Sequence, residues 1–380
     1  MDSFNEFLEK VKTSLGSLNN YQGKIHVIMG NESCDLDSMI SPLALGYLWY
    51  RRKPADTLVI PILSIPSADL CLRTENCYLL KKLGIDHSSL VFSDDLNLKE
   101  LQNSKRLSIS LVDHHMLSSD YKFLSMSVTE IFDHRPIDSN AAWDKNKVKI
   151  RIEQVGSCCT LIADEILNFQ DQILTDNLTL LLHYGIIFDT IAFSPEAGRV
   201  KELDILVSKK LSERFPLDHD VKSVFDELWS AHNDVSHLTP KQLLSKDLKI
   251  VEGLPIPGLP MLVEDYLKLQ DVLQDMTEFC KEKCSSVMVI IGLHVVECEG
   301  VNQVHRDVAV FNCGTNNEDL VNIIVTNLKN APKLKGYDFD FEEISVSVSG
   351  IKCFKQNNIK LTRKHILPLL KDAYLKYKSN

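Results

Sequence analysis

Short apolar blocks and longer amphipathic blocks alternate through the first half of the chain. Ile25–Met29, Leu58–Leu63, Leu107–Val112 and Val128–Phe132 are brief, mainly apolar runs of strand length. Val148–Glu153 alternates polar and apolar positions, the pattern of an edge strand. Between them the spacing predicts helices over Phe4–Leu15, Ser38–Arg52, Cys158–Phe169 and Leu178–Ile187, with Ser157 a suitable N-cap for the third. This order predicts an α/β fold, a mostly parallel sheet flanked by helices on both faces.

From Glu202 to about Val235 the pattern is helical but strongly charged, as in a linking helix pair rather than core. Thr239 and Pro240 read as N-cap and first residue of a new helix. Strands are expected at Met261–Val263, Ser286–Val296 and Val308–Phe311, with strand-like character over Ile344–Phe354. Helices are expected over Asp265–Cys284 and Glu318–Leu328 and from Thr362 onward, and residues 255–260 (Pro-Ile-Pro-Gly-Leu-Pro) read as a rigid loop. The expected organisation is a catalytic, metal-binding domain over 1–200, a helical linker over 201–237 and a smaller α/β domain over 238–380.

Composition narrows the function. The 380 residues are 44% hydrophobic and 25% charged, with a net charge of −10. That balance argues against broad nucleic-acid or anionic-membrane binding; a polyanionic substrate would need a local cluster of cations. No apolar run approaches the roughly 20 residues of a membrane span. The acidic start, Met1 to Glu6, lacks a signal pattern, and the 10 cysteines form no Cys-x-x-Cys pair. The expectation is a cytoplasmic protein with reduced thiols.

The chemistry gathers where predicted strands end. Asn31, Asp35 and Asp37 lie between the first strand and its helix, Asp113 ends the third strand, Asp133-His134-Arg135 ends the fourth, and Asp189 follows the Leu178–Ile187 helix. Ligands in open α/β sheets collect at that edge. Carboxylates held together without a cation repel, and one is pushed to protonate. Each acid alone is ordinary turn chemistry. Together they make an oxygen-rich set with one imidazole, suited to one or two Mg²⁺ or Mn²⁺ ions.

In order, the segments 30–38 (Gly-Asn-Glu-Ser-Cys-Asp-Leu-Asp-Ser), 111–115 (Leu-Val-Asp-His-His), 132–138 (Phe-Asp-His-Arg-Pro-Ile-Asp), 153–160 (Glu-Gln-Val-Gly-Ser-Cys-Cys-Thr) and 185–190 (Gly-Ile-Ile-Phe-Asp-Thr) resemble the motifs of the DHH phosphoesterase superfamily. The chain most resembles its prune family, relatives of yeast-type exopolyphosphatase and family II inorganic pyrophosphatases. The resemblance implies one metal site of Asp37, Asp113, His134 and Asp189, and a second of Asn31, Asp35 and Asp113. It implies catalytic roles for Asp35, Asp37, Asp113, Arg135 and Asp189. Related pyrophosphatases carry histidine where this chain has Asn31, which implies a weaker second ion and a tilt toward Mg²⁺. Arg135 replaces a phosphate-contacting histidine; it can grip phosphate bidentately but cannot transfer protons. Either His114 or His115 would support a ligand from behind. His26 reads as a satisfied strand histidine, and His183 as a core or supporting one.

The second half resembles the DHHA2 domain of the same enzymes, at Leu243–Lys249 and Leu361–Pro368. This implies substrate clamps at Arg363 and Lys364, with Lys249 a further candidate and Lys246 its competitor, and a site in the cleft between the domains. The implied activity is release of terminal phosphate from short inorganic polyphosphate. The alternatives are cyclic-nucleotide (cyclic AMP) phosphodiesterase activity, or a binding role with nucleoside diphosphate kinase as partner. That contact runs partly through a long C-terminal tail in relatives, and such a tail is not expected after Asn380.

Overall fold

A computed structural model describes residues 3–378 apart from 53, 55, 142, 170–172, 218–219, 299–300 and 315–316. The chain divides into two compact units, Met1–Asp234 and Val235–Asn380.

Unit 1 is built on five strands: β1 (Lys24–Met29), β2 (Thr57–Ile62), β3 (Leu107–Val112), β4 (Val128–Asp133) and β5 (Lys149–Ile152). Their order is β2-β1-β3-β4-β5, with every pairing parallel. β1, β3 and β4 are buried on both faces, so side-chain parity does not divide core from solvent, and covering helices are required. Those are α1 (Phe4–Ser14), α2 (Leu36–Arg52), α3 (Thr74–Lys82), α4 (Leu98–Asn103), α5 (Cys158–Phe169), α6 (Asp176–Asp189), α7 (Glu202–Arg214) and α8 (Val221–Asn233). α1 opens with a reciprocal Ser3–Glu6 capping box and sets Phe4 and Phe7 against Tyr47 of α2, ring centroids 5.6 and 5.5 Å apart. α2 is buried continuously from Leu36 to Leu48 and packs against α5 and α6.

The charged helices expected as a linker belong to unit 1. Val207 and Leu211 of α7 and Val224 and Leu228 of α8 are buried in its core. Their apolar stripes are narrow, and the charge density around them hides the period. The sheet order matters more for function. β1 connects outward to β2, and the chain then returns across β1 to β3. This makes the gap between β1 and β3 a topological switch point, the place in open α/β sheets where ligands bind at the strands' carboxyl ends. Asn31 and Asp35 follow β1, and Asp113 follows β3.

Unit 2 carries β6 (Leu248–Val251), β7 (Leu254–Leu259), β8 (Val287–Cys298), β9 (Val301–Asn312), β10 (Phe341–Ile344) and β11 (Ile351–Gln356), in the order β10-β11-β9-β8-β7-β6. Its pairings are antiparallel apart from the short parallel match of β7 with β8. The helices are α9 (Pro240–Lys246), α10 (Val263–Tyr266), α11 (Val272–Glu282), α12 (Glu318–Lys329), α13 (Ala331–Lys335) and α14 (Arg363–Lys378). One core joins α12 and α14 to the sheet through Ile324, Leu369 and Val308. A second joins α9, α10 and α11 through Leu244, Tyr266 and Phe279.

Several expected boundaries move. Residues 254–259 form β7 rather than a loop, with Leu254 and Ile256 fully buried. Pro255 and Pro257 share one parity, so their missing N–H groups fall on one side of the strand and cost little. The strand expected at Met261–Val263 is a bend leading into α10. The single helix expected over Asp265–Cys284 is broken at Asp271, whose φ of +58° is left-handed. Ile344–Phe354 is two strands separated by a turn with Gly350 at φ +78°. As expected, Thr239 caps α9 in a capping box and Pro240 is its first residue.

Candidate metal centre

Asp113 leaves β3 at a left-handed φ of +58°, a conformation that Asp tolerates better than most residues. Its N–H donates to Phe132 O at 2.9 Å, which carries the β3–β4 ladder one residue further and fixes where the carboxylate emerges. That carboxylate is fully buried. Asp37 sits in the first turn of α2, not on the preceding loop, because α2 already starts at Leu36. Its Oδ2 accepts from the N–H of Cys158, the first residue of α5, at 3.3 Å. Two helix N-termini thus favour negative charge at this point.

His134 completes the cluster. Its Nε2 lies 3.2 Å from Asp113 Oδ1 and 3.7 Å from Asp37 Oδ2. Its Nδ1 is 3.1 Å from Val155 O, so Nδ1 carries the proton and Nε2 faces the acids. Asp37, Asp113 and His134 each offer one ligand atom within 4.8 Å of the others, and no other such group exists among the described residues. Asp189 is the last residue of α6 and lies outside that tight group. Its charge still acts on Asp37 and His134, and its buried Oδ2 has no hydrogen-bond donor. A buried carboxylate oxygen without a donor is costly unless a cation meets it. Carboxylates and one preset imidazole therefore fit a hard divalent ion better than a thiolate metal.

Titration behaviour reflects the crowding. Burial, then the charges of Asp113, Asp189 and Asp35, push Asp37 well above the usual carboxylate range. Burial raises Asp189 to about 7 against the opposing Ser157 hydroxyl, with Asp35 adding to the rise. Asp35 is raised by desolvation and then by Asp113, although the residue as a whole is exposed. Asp113 goes the other way: burial would raise it, but contact with His134, Arg135 and Ser38 outweighs burial and lowers it. Burial would lower His134, and Asp113 outweighs it and raises it.

Asn31 is in place but turned. Its amide nitrogen donates to Asp113 Oδ2 at 2.5 Å, while its oxygen accepts from Ser33 N at 2.8 Å. A role as oxygen ligand requires the amide to flip. Ser33 Oγ also donates to Asp35 Oδ1 at 3.0 Å. Arg135 lies over the cluster, with Nη1 2.6 Å from the Asp113 carbonyl oxygen and Nη2 3.1 Å from Oδ1. Asp133 has a supporting role. Its Oδ1 accepts from His134 N at 2.7 Å and Arg135 N at 3.2 Å, and its Oδ2 holds His115 Nδ1 at 2.5 Å. His115 in turn accepts from Asp138 N at 2.9 Å, so it braces the loop that presents His134. His114 instead bonds Val112 O at 2.9 Å. His26 is satisfied by Ser108 and Ser110. His183 is a core histidine on Ser208, with burial lowering it to about 4.

In unit 2, Arg363 is anchored locally. Its guanidinium donates to Asp247 O at 3.0 Å and Oδ1 at 2.7 Å, and it packs over Gly258, where a Cβ would lie 2.5 Å from Nη1. Lys364 and Lys249 are exposed, without an ion pair among the described residues. Lys246 has an interaction of its own.

Immediately past Asp189, Ile191, Ala192 and Phe193 all have positive φ (54°, 52° and 59°). Such a run is strained, by ~1–2 kcal/mol per residue. Ala192→Gly should therefore raise unfolding stability by ~1 kcal/mol in a urea melt; an unchanged or lower midpoint would show that the run is not under strain.

An α/β sheet with an acid-and-imidazole switch point, followed by a second α/β unit, defines a DHH-superfamily protein with its accessory domain. The DHHA2 domain family matches residues 226–373. A Bos taurus protein, "Exopolyphosphatase PRUNE1", is 32% identical over 357 residues, 93% of this chain and 76% of its own length. Its Homo sapiens counterpart of the same name is also 32% identical over the same shares. "Protein prune homolog 2" of Mus musculus is 25% identical over 97% of this chain, which spans 11% of that protein. The chain belongs to the prune exopolyphosphatase family. Among the described residues no helix is long and apolar enough to cross a membrane.

Proposed function

We propose that the chain is a metal-dependent phosphohydrolase that releases terminal phosphate from short inorganic polyphosphate. The observation that carries this reading is the convergence of Asp37, Asp113 and His134 at the switch point. The exopolyphosphatase names of relatives aligned over nearly the whole chain support the choice of substrate. Asp37, Asp113, His134 and Asp189 would hold one ion, and Asp35, Asp113 and a flipped Asn31 a second; Mg²⁺ or Mn²⁺ suits this donor set. A divalent ion bound there lowers the pKa of a water it holds and neutralises phosphate charge.

The chain's own groups do the rest. Arg135 presents a fixed positive fork beside the acids and orients the terminal phosphate. Asp113 and Asp37 flank His134 Nε2 and would share the ion with it. Asp189, raised to about 7 by burial in the metal-free chain, would give up its proton to hold the ion. Lys249, Arg363 and Lys364 are the proposed substrate cations of unit 2, Arg363 after exchange of its Asp247 contact.

Phosphate release from tripolyphosphate, pyrophosphate and cyclic AMP with Mg²⁺ or Mn²⁺ tests the reading. Tripolyphosphate should be cleaved fastest. Fastest cleavage of cyclic AMP would make the chain a phosphodiesterase, and no turnover on any of them would reject catalysis. Arg135→Ala should raise KM for tripolyphosphate about 10-fold or more, since a bidentate charged contact contributes roughly 1.5–3 kcal/mol.

A further inference from the structure

We infer that Asp204, on α7 and outside every motif of the site, is a positioning residue for the metal centre. This rests on the metal-centre reading above. The segment 155–158 hydrogen-bonds two of the four residues assigned to the first ion. Val155 O accepts from His134 Nδ1 at 3.1 Å. The Ser157 hydroxyl acts on the Asp189 carboxyl, opposing the rise that burial causes. Cys158 N donates to Asp37 Oδ2 at 3.3 Å. A shift of this segment would move an imidazole and a carboxylate together.

Asp204 holds the segment in place. It is fully buried, and its Oδ2 accepts from Gly156 N at 2.8 Å while its Oδ1 accepts from Thr160 Oγ1 at 2.5 Å. One carboxylate therefore pins Gly156 and Thr160, on either side of Ser157 and Cys158. A cap for α7 alone would need the Lys201 N–H, which Oδ2 also accepts at 2.8 Å; the other two bonds reach across to the site segment. The fit is close. A Cβ on Gly156 would lie 2.5 Å from Thr190 Cγ2 and 3.1 Å from Asp204 Oδ2. Glycine lets the backbone approach the acid, and the acid fixes the backbone that fixes the ligands. Groups that orient metal ligands from behind change metal affinity by ~10–100-fold.

The test is Mn²⁺ titration of the full chain, read by electron paramagnetic resonance, with thermal melts recorded by circular dichroism in chelator. Asp204→Asn should melt cooperatively, bind Mn²⁺ at least ~10-fold more weakly than wild type, and alter the spectrum of the bound ion. Wild-type affinity and an unchanged spectrum in folded Asp204→Asn overturn the inference. Should Asp204→Asn fail to fold, Thr160→Val decides: it removes one donor at constant volume. It should still melt cooperatively, at a lower temperature because Asp204 Oδ1 loses its donor, and bind Mn²⁺ about 3-fold or more weakly, part of the same loss; wild-type affinity overturns the inference. His134→Ala separates the two levels. If it leaves Mn²⁺ binding intact, the metal-centre reading fails and the inference with it. If it abolishes binding while folded Asp204→Asn binds Mn²⁺ as tightly as wild type, the inference alone fails.

Discussion

Asp37→Asn should lower kcat for tripolyphosphate by about 10³-fold or more, the scale seen when one preorganised charge-stabilising group is lost, while leaving the metal-free fold as stable as wild type or more so. The reason for the second half is electrostatic. Asp37 is buried beside three other carboxylates, and its raised pKa means that its charge is resisted by the fold. Asparagine removes that charge and can still accept the Cys158 N–H. Asp113→Asn should abolish activity equally but lower stability. The Asp113 charge is favoured, through contacts with His134, Arg135 and Ser38, and its loss strands two cationic partners. Steady-state kinetics paired with urea melts in chelator check both. Equal shifts in stability for the two variants would contradict the account, whatever their activities.

The second large effect is the dependence of metal stabilisation on pH. Asp37 and Asp189 titrate higher in the fold than in the unfolded chain, Asp189 at about 7, and His134 is raised from 6.5. For each of these groups, the stability that its proton confers is complete below the unfolded pKa. It is lost as pH rises through the folded pKa. These three groups should therefore withdraw stability from the metal-free protein between about pH 4 and about pH 8, against the opposite contribution of His183, which adds stability as pH rises from about 4 towards its unfolded value. Asp113, lowered in the fold, acts only below its unfolded value and does not offset this loss. A divalent ion takes the deprotonated acids, so its stabilisation grows with pH. Saturating Mn²⁺ should raise Tm by ~5 °C more at pH 8 than at pH 5. Equal increments at the two pH values would mean that the ion binds groups other than these.

Much of unit 1 could be read from its pattern, because its central strands are short apolar runs, two of them ending at acids, and its covering helices are long apolar or amphipathic blocks. Asp113 and His134 were found because each directly ends a buried strand. Asp189 was expected on a loop, but α6 runs on through it and holds it apart from the tight group. The orientation of Asn31 depends on Ser33 and Asp113, which no spacing rule relates. α7 and α8 looked like a linker because narrow stripes such as Val207–Leu211 are drowned by charge. For the same reason Asp204 gave no signal: an acid in a charged helix looks solvated until the fold buries it. In unit 2, prolines at 255 and 257 disguised a buried strand, and one left-handed Asp271 divided a helix that periodicity alone would continue.

The central claim is that Asp37, Asp113 and His134 share one cation. Anomalous diffraction from crystals soaked in Mn²⁺ measures this most directly. The account predicts a peak bonded at about 2.1 Å to a carboxylate oxygen of Asp37, one of Asp113 and Nε2 of His134, weakened in Asp37→Asn. A peak elsewhere, or none between these three side chains, would contradict it.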